Sequence, residues 1–424
     1  VSGVRLLPFP PPYRAALALS NDLDSLFEPR GWWEFLRFLN TKDTTRFGPG
    51  LGLEVGDSFW FYSDDPEGQP ASYFEGVSET PSAFAPYIGA LGRAGYLDTL
   101  HSYGNFSRHG GFTRGLAERA ASALRDLGFA PSVWVNHGGA HDFQNLWMGC
   151  GDVPENPDAT GAPAPEYHLD LTWSLGLRYA WLGELTSIPG QARPLGLSDW
   201  VSPGSPAPRE VLAYGARALA RRLAYRQVLA RYPHPDILRN RLITPRRLGD
   251  GRIVQSFVRC GDFDRATFAD LAWLLRPGFL DALERSHGLS AVFLHWGKHA
   301  GRRFESLDPA GLGALRELAA RARDRRIWVT TTGRLLAYAE ARDAVRVQPA
   351  ADGRVRLRSE PLPDGRHLTV PDLAGLAFHV GAGPLPEFLY EDRPLPVEPL
   401  PGEPGVAWVP RAALRFPEPP GARA

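Results

Sequence analysis

The sequence predicts an α/β protein in which a parallel sheet or barrel, residues 1–342, is followed by a small β-rich domain, residues 343–424. Three observations carry that expectation. Short apolar runs recur along the chain, and each ends in a polar side chain able to do chemistry. Helical segments with apolar residues at three- and four-residue spacings lie between them. Near Asp343 the texture changes to short alternating strands separated by Gly and Pro turns.

The first run, Arg14 to Ser20, follows a proline cluster and leads into Asn21-Asp-Leu-Asp-Ser25. The pattern repeats at Tyr96–Leu100 into His101, Ser132–Val135 into Asn136 and His137, Ile253–Val258 into Arg259, and Ala291–Leu294 into His295. Carboxyl ends of buried parallel strands are where such folds keep their chemistry. Helices are expected over Gly31–Leu39, Phe112–Leu127, Arg209–Arg231, Arg265–Arg285 and Leu312–Arg325, then a strand at Ile327–Thr330 and a helix through Arg342. Stretches 151–165 and 200–208, rich in Pro and Gly, read as long loops. In the last domain, Val345–Gln348, Arg354–Leu357 and His367–Val370 read as strands.

With 43% hydrophobic and 11% aromatic residues the chain can bury a large core, and 47 basic residues balance 47 acidic ones. That balance removes the field expected of a nucleic-acid or anionic-membrane binder. Nothing approaches the ~20 apolar residues of a membrane span. No stretch reads as a signal peptide, and a cytoplasmic or a cell-envelope location fits equally. Two cysteines, Cys150 and Cys260, make neither a disulfide scaffold nor a thiolate metal site. Dinucleotide and phosphate loops, His-Glu-x-x-His and Gly-x-Ser-x-Gly are absent.

Two carboxylates two residues apart at the end of a buried strand, Asp22 and Asp24, are expected to hold a cation or a proton rather than water. His101 and Asn105 in His101-Ser-Tyr-Gly-Asn105, with His109, His137 and His141, also follow strand ends. Imidazoles and carboxylates together form a zinc-type ligand set. In His295-Trp-Gly-Lys-His299 an imidazole beside an aromatic wall suits a general acid or base, or a loop that stacks on a ligand. The tryptophans near strand ends suit sugar rings but also suit a core.

The order of these motifs resembles the NodB-homology polysaccharide deacetylases, the carbohydrate esterase family 4 superfamily. Ser20-Asn-Asp-Leu-Asp24 looks like that family's Ser/Thr-Phe-Asp-Asp-Gly with one residue inserted. His101-Ser-Tyr-Gly-Asn105 looks like its His-Ser/Thr-x-x-His, Phe293-Leu-His295 like its late Leu-x-His, and Trp328 to Tyr338 like its last strand and helix. The resemblance spans about residues 13–342 as scattered motifs and implies a distorted (β/α)7 barrel. It also implies a divalent metal, usually zinc, and hydrolysis of an N-acetyl or O-acetyl group on a carbohydrate. It assigns Asp22 as base and Asp24 as metal ligand with His101. Asn105 stands where the family has a second His, which leaves His137 or His141 to complete the shell. No Arg-x-Pro segment is found, and Arg259 is the candidate to hold the catalytic carboxylate. His295 would protonate the leaving group, and Trp296, Tyr103, His141 and His299 are the expected substrate contacts. Two alternatives stand beside it: a glycoside hydrolase pairing Asp22 with Glu54 or Glu184, and a non-catalytic carbohydrate-binding protein.

Overall fold

The computed structural model describes residues 3–138, 142–147, 150–155, 164–196, 239–349 and 353–421, with isolated positions between 208 and 216. Most of the expected helix Arg209–Arg231, most of the loop 200–208 and the centre of the loop 151–165 fall outside the described residues.

The parallel core strands are β1 (Ala15–Asn21), β2 (Asp57–Phe59), β3 (Leu97–Leu100), β4 (Val133–Val135), β5 (Tyr179–Trp181), β6 (Ile253–Phe257), β7 (Arg259–Cys260), β8 (Leu289–Leu294) and β9 (Ile327–Val329). Every residue of β1 and of β8 is buried, as strands covered on both faces must be. One sheet runs β2, β3, β4, β5, β6, with Ile243–Arg247 added antiparallel at the β6 edge. The other runs β9, β1, β8, β7 and ends at Leu185–Thr186, all parallel. Only Val258 separates β6 from β7, so one stretch of chain passes from the first sheet into the second. Between β1 and β2 the link runs through side chains: Asn21 donates to Asp57 at 2.5 Å, and the Leu23 N–H donates to Ser58 Oγ at 3.1 Å. No closed barrel ladder is found among the described residues. The structure is a mixed α/β protein with parallel sheets.

Most predicted helices form. Pro29–Asn40 starts with the Glu28 carboxylate accepting from the Arg30 and Gly31 N–H groups, and buries Trp32, Trp33, Phe35, Leu36, Phe38 and Leu39. Arg114–Leu127 ends on Gly128 at φ 71°, a left-handed position that glycine occupies without a Cβ penalty. Pro309–Arg323 and Thr332–Ala344 complete the helical layer. The expected single helix Arg265–Arg285 is instead a 3-10 turn at Phe268–Asp270, a short helix Leu271–Leu274 and a helix Pro277–Arg285. Pro277 has no N–H to donate and drives Arg276 to an extended conformation, so the helix must restart there.

Beyond residue 344 there are two four-stranded sheets. One pairs Val345–Pro349, Val355–Ser359, Phe388–Tyr390 and Arg393–Pro394, and the other pairs Arg5–Leu6, Ala377–His379, Val406–Trp408 and Glu398–Pro399. The amino-terminal strand thus joins the carboxyl-terminal β region. His367–Val370 is not a strand: Val370–Leu373 forms a 3-10 turn, because Thr369 and Asp372 make a reciprocal capping box around Pro371. Both regions share one core, in which Ala16, Val133 and Leu335 belong to the same apolar cluster as Leu357, Phe378 and Phe388.

Candidate metal centre

The residues just past the carboxyl ends of β1, β3, β4, β6 and β8 meet at one point. Asp24 is the hub. Its Oδ1 lies 3.3 Å from His137 Nε2, and its Oδ2 lies 3.2 Å from His295 Nε2. One ligand atom each from Asp24, His101 and His137 falls within a common 4.8 Å, and the same holds for Asp22, Asp24 and His295. These separations suit an ion seated between the groups.

Charge distinguishes the two sets. Arg259 Nη1 donates to both oxygens of Asp22 at 2.9 Å, so that carboxylate already has its cation. Asp24 accepts from no guanidinium among the described residues, and one carboxylate with two imidazoles, Asp24 with His101 and His137, is a donor set that zinc accepts.

Proton positions point the same way. His295 Nδ1 lies 3.0 Å from the Ala266 carbonyl, which can only accept, so the ring donates there and turns Nε2 toward Asp22 and Asp24. A neutral His295 would then set a lone pair against a carboxylate. A proton or a metal ion must lie between them. Around His137 the contact with Asp142 is 3.5 Å, too long for a formed hydrogen bond, and His137 Nδ1 and Asp142 Oδ2 have no other partner among the described residues.

Burial shifts these groups strongly. His101 is driven down to about 4 by burial, which the Asp22 charge only partly offsets, so it is neutral at pH 7 as a ligand must be. Burial also opposes the His137 cation, but the Asp142 and Asp24 carboxylates facing its two ring nitrogens override it and lift the group to about 10, so an ion held by Asp24 and His137 would have to displace that proton. Burial would raise Asp22, and the Arg259 charge, followed by those of His101 and His295, holds it below the usual carboxylate range. Asp24 lies well below that range: burial pushes it up, and hydrogen bonds to His137 and His295 more than compensate.

The walls are aromatic. Trp60 stacks on His101 at 5.4 Å between centroids and meets His137 edge-on at 5.0 Å. The Arg259 guanidinium lies 4.2 Å above the Trp181 ring, and Phe293 sits 5.0 Å from His295. Behind the cluster, the Asn21 side chain accepts from the Trp296 N–H at 2.6 Å while donating to Asp57, which clamps the end of β1 to that of β8. Asp57 also accepts from Trp32 Nε1, and burial raises its carboxyl to about 7. Asp142 and Asp57 were not read from the sequence, whereas Trp60 and Trp181 are among the tryptophans that the sequence offers as either sugar platform or core.

Several expected site residues are placed elsewhere. Tyr103 is fully buried with its hydroxyl 2.9 Å from Thr172 and its ring stacked on Phe112, so it is core. Trp296 is likewise buried, edge-on to Phe35, and only its backbone joins the clamp. The Asn105 amide oxygen accepts from the Ser107 N–H, a local turn, and His137 stands with Asp24 and His101 in its stead. His109 and His299 are exposed and outside the cluster. His141 lies outside the described residues. Glu54 is paired with Arg334 and Arg411, and Glu184 with Arg246, so neither of the carboxylates considered for glycoside cleavage is free. A separate cavity of about 420 Å³, bordered by Gln191, Leu242, Glu340 and Leu362, is not lined by the Asp/His cluster. Comparisons with family models, curated proteins and solved structures give no match for this chain.

Proposed function

We propose that the chain is a metal-dependent carbohydrate deacetylase, hydrolysing an N-acetyl or O-acetyl group, and that its two parallel sheets are the halves of a distorted (β/α)7 barrel. The observation that carries the reading is the division of labour at the end of β1. Asp24 shares a ligand-sized space with His101 and His137, while Asp22, two residues away, is reserved by Arg259.

A divalent cation bound there, zinc by the donor set, would polarise an acyl carbonyl and acidify a water molecule. The rest falls to the chain's own side chains. Asp22, ionised and aimed by Arg259, takes the proton of the attacking water as the water oxygen bonds to the carbonyl carbon. His295 carries its mobile proton on Nε2 because Nδ1 is committed to Ala266, and it delivers that proton to the leaving nitrogen or oxygen as the acyl bond breaks. Acetate and a free amine or hydroxyl result. Trp60, Trp181 and Phe293 keep the site dry, which strengthens each charge interaction within it.

The test measures zinc content of the purified chain together with acetate released from acetylated glycans. Stoichiometric zinc with acetate release is the expected result. A chain that takes up no divalent metal, or that shortens glycans without releasing acetate, refutes the reading.

A further inference from the structure

A larger cavity, of about 770 Å³, lies toward the amino-terminal ends of the parallel strands, whereas the Asp/His cluster occupies their carboxyl ends. Tyr13 precedes β1, Glu54 precedes β2 and Tyr96 precedes β3, and all three line the cavity together with the residues of β9. Roughly 20 Å of β1 separates the two ends, at ~3.3 Å per residue. β2 and β9 are edge strands of different sheets, so the cavity occupies a seam that no backbone ladder closes among the described residues.

Four cations, Lys42, Arg323, Arg325 and Arg411, border this space against one carboxylate among the described residues, Glu54. Glu54 is itself shared between Arg411 and Arg334. Lys42, Arg323 and Arg325 meet no carboxylate among the described residues, and Arg325 donates only to the Pro11 carbonyl. Two helices, Pro29–Asn40 and Pro309–Arg323, end beside the cavity, and each carboxyl end adds about half a negative charge. A surplus of about two positive charges remains. The whole chain balances 47 basic against 47 acidic residues, so the surplus is local.

Tyr96 supplies an independent observation. It is 2% exposed, it borders the cavity, and its hydroxyl has no hydrogen-bond partner among the described residues. Burial and then the Glu54 charge push that hydroxyl up to about 12, so at pH 7 it is a donor without an acceptor. Two of the cations are already held in place: the Arg411 guanidinium lies 4.3 Å from the centre of the Trp328 ring and that of Arg325 lies 5.8 Å from the centre of the Tyr13 ring. Stacking of this kind orders the donors before an anion arrives.

We propose that this cavity is a second binding site, independent of the metal centre, for the phosphate monoester of a small organic molecule. Such a group carries about −1.5 to −2 charge at pH 7, which matches the surplus, and offers three strong acceptor oxygens. Lys42, Arg323 and Arg325 supply the charge and Tyr96 a directed donor. Leu51, Leu53 and Leu414 also line the cavity and cover the carbon portion, for which inorganic phosphate has no counterpart.

Calorimetry on the full-length protein tests this with AMP and glucose 6-phosphate as probes, against inorganic phosphate, succinate, adenosine and glucose. At least one of the two esters should bind ~10-fold or more tightly than any of the four controls, and added salt should weaken it. Tyr96→Phe removes a hydroxyl that no protein group uses, so stability should be kept while the ester binds ~5-fold or more weakly. Lys42→Glu, at an exposed position, should weaken it ~10-fold or more by reversing one charge. Asp24→Ala should leave ester binding unchanged. The proposal is overturned if neither ester binds, if a control binds as tightly, or if Tyr96→Phe or Lys42→Glu binds undiminished. Loss of ester binding in Asp24→Ala overturns it as well, by placing the phosphate at the Asp/His cluster.

Discussion

Two charge clusters in this molecule each pair carboxylates with an arginine and are left in opposite states. Around Glu340, Tyr179 donates its hydroxyl at 2.8 Å and Arg366 Nη2 reaches both carboxylate oxygens at 3.2 Å, while Arg366 Nε donates to Asp364 at 2.7 Å. The carboxylate of Glu340 has all the partners it needs. Around Asp24, by contrast, His101 Nδ1, His137 Nδ1, Asp142 Oδ2 and two nitrogens of Arg259 are buried without a hydrogen-bond partner among the described residues. A buried polar atom left unsatisfied costs on the order of 1–3 kcal/mol. A folded chain retains several of these in one place where a ligand, an ion or water supplies what is missing. The difference separates an ionic lock from a site: both are buried and charged, but only one is incomplete.

Substitutions sharpen that contrast, and the largest effect belongs to the hub. Asp24→Ala should weaken zinc binding by at least ~100-fold and abolish acetate release, measured by metal analysis after dialysis. Retention of stoichiometric zinc would remove Asp24 from the ligand set. Asp22→Asn comes next: zinc content stays, and kcat falls by ~100-fold or more because the proton acceptor is gone.

Glu340→Ala should do the reverse, keeping zinc but lowering stability by about 1–3 kcal/mol because the buried Tyr179 hydroxyl and the half-buried Arg366 each lose a partner, read by chemical denaturation. A Glu340 variant that loses zinc while remaining folded would erase the distinction drawn here. The smallest effect concerns Asp57. Its carboxyl is raised to about 7 in the folded state, so its contribution to stability is fully present below the ordinary value near 3.8 and is lost as pH rises through 7. Asp57→Asn should therefore flatten the decline of unfolding free energy between pH 4 and 7, whatever it does to the baseline. An unchanged slope would show that Asp57 ionises normally.

Much of the site was legible because of one physical constraint. A polar residue that ends a run of buried apolar residues sits where a strand leaves the core. Asp22, Asp24, His101, His137, Arg259 and His295 were all found that way, and the structure brings them together. The same reasoning failed at Tyr103 and Trp296, because local pattern does not reveal which way an aromatic ring turns once neighbouring helices pack against it. Asn105 failed for a related reason, since its amide found a nearer partner in its own turn. Pro277 carried a readable warning against the long helix expected over Arg265–Arg285, a local steric effect that apolar spacing alone conceals.

Periodicity and the placement of polar groups at strand ends sufficed, without coordinates, for the alternation of strand and helix, the onset of the β-rich region and the roster of chemically capable residues. These are properties of neighbouring residues, governed by backbone geometry and by the aversion of apolar side chains to water. Packing alone decided that Trp60 stacks on His101, that Asn21 fastens β1 to β8, and that Arg5–Leu6 crosses to the far β sheet. Those partnerships join residues far apart in the chain, where direction and distance to within an ångström determine which charge meets which, and no local pattern carries that information.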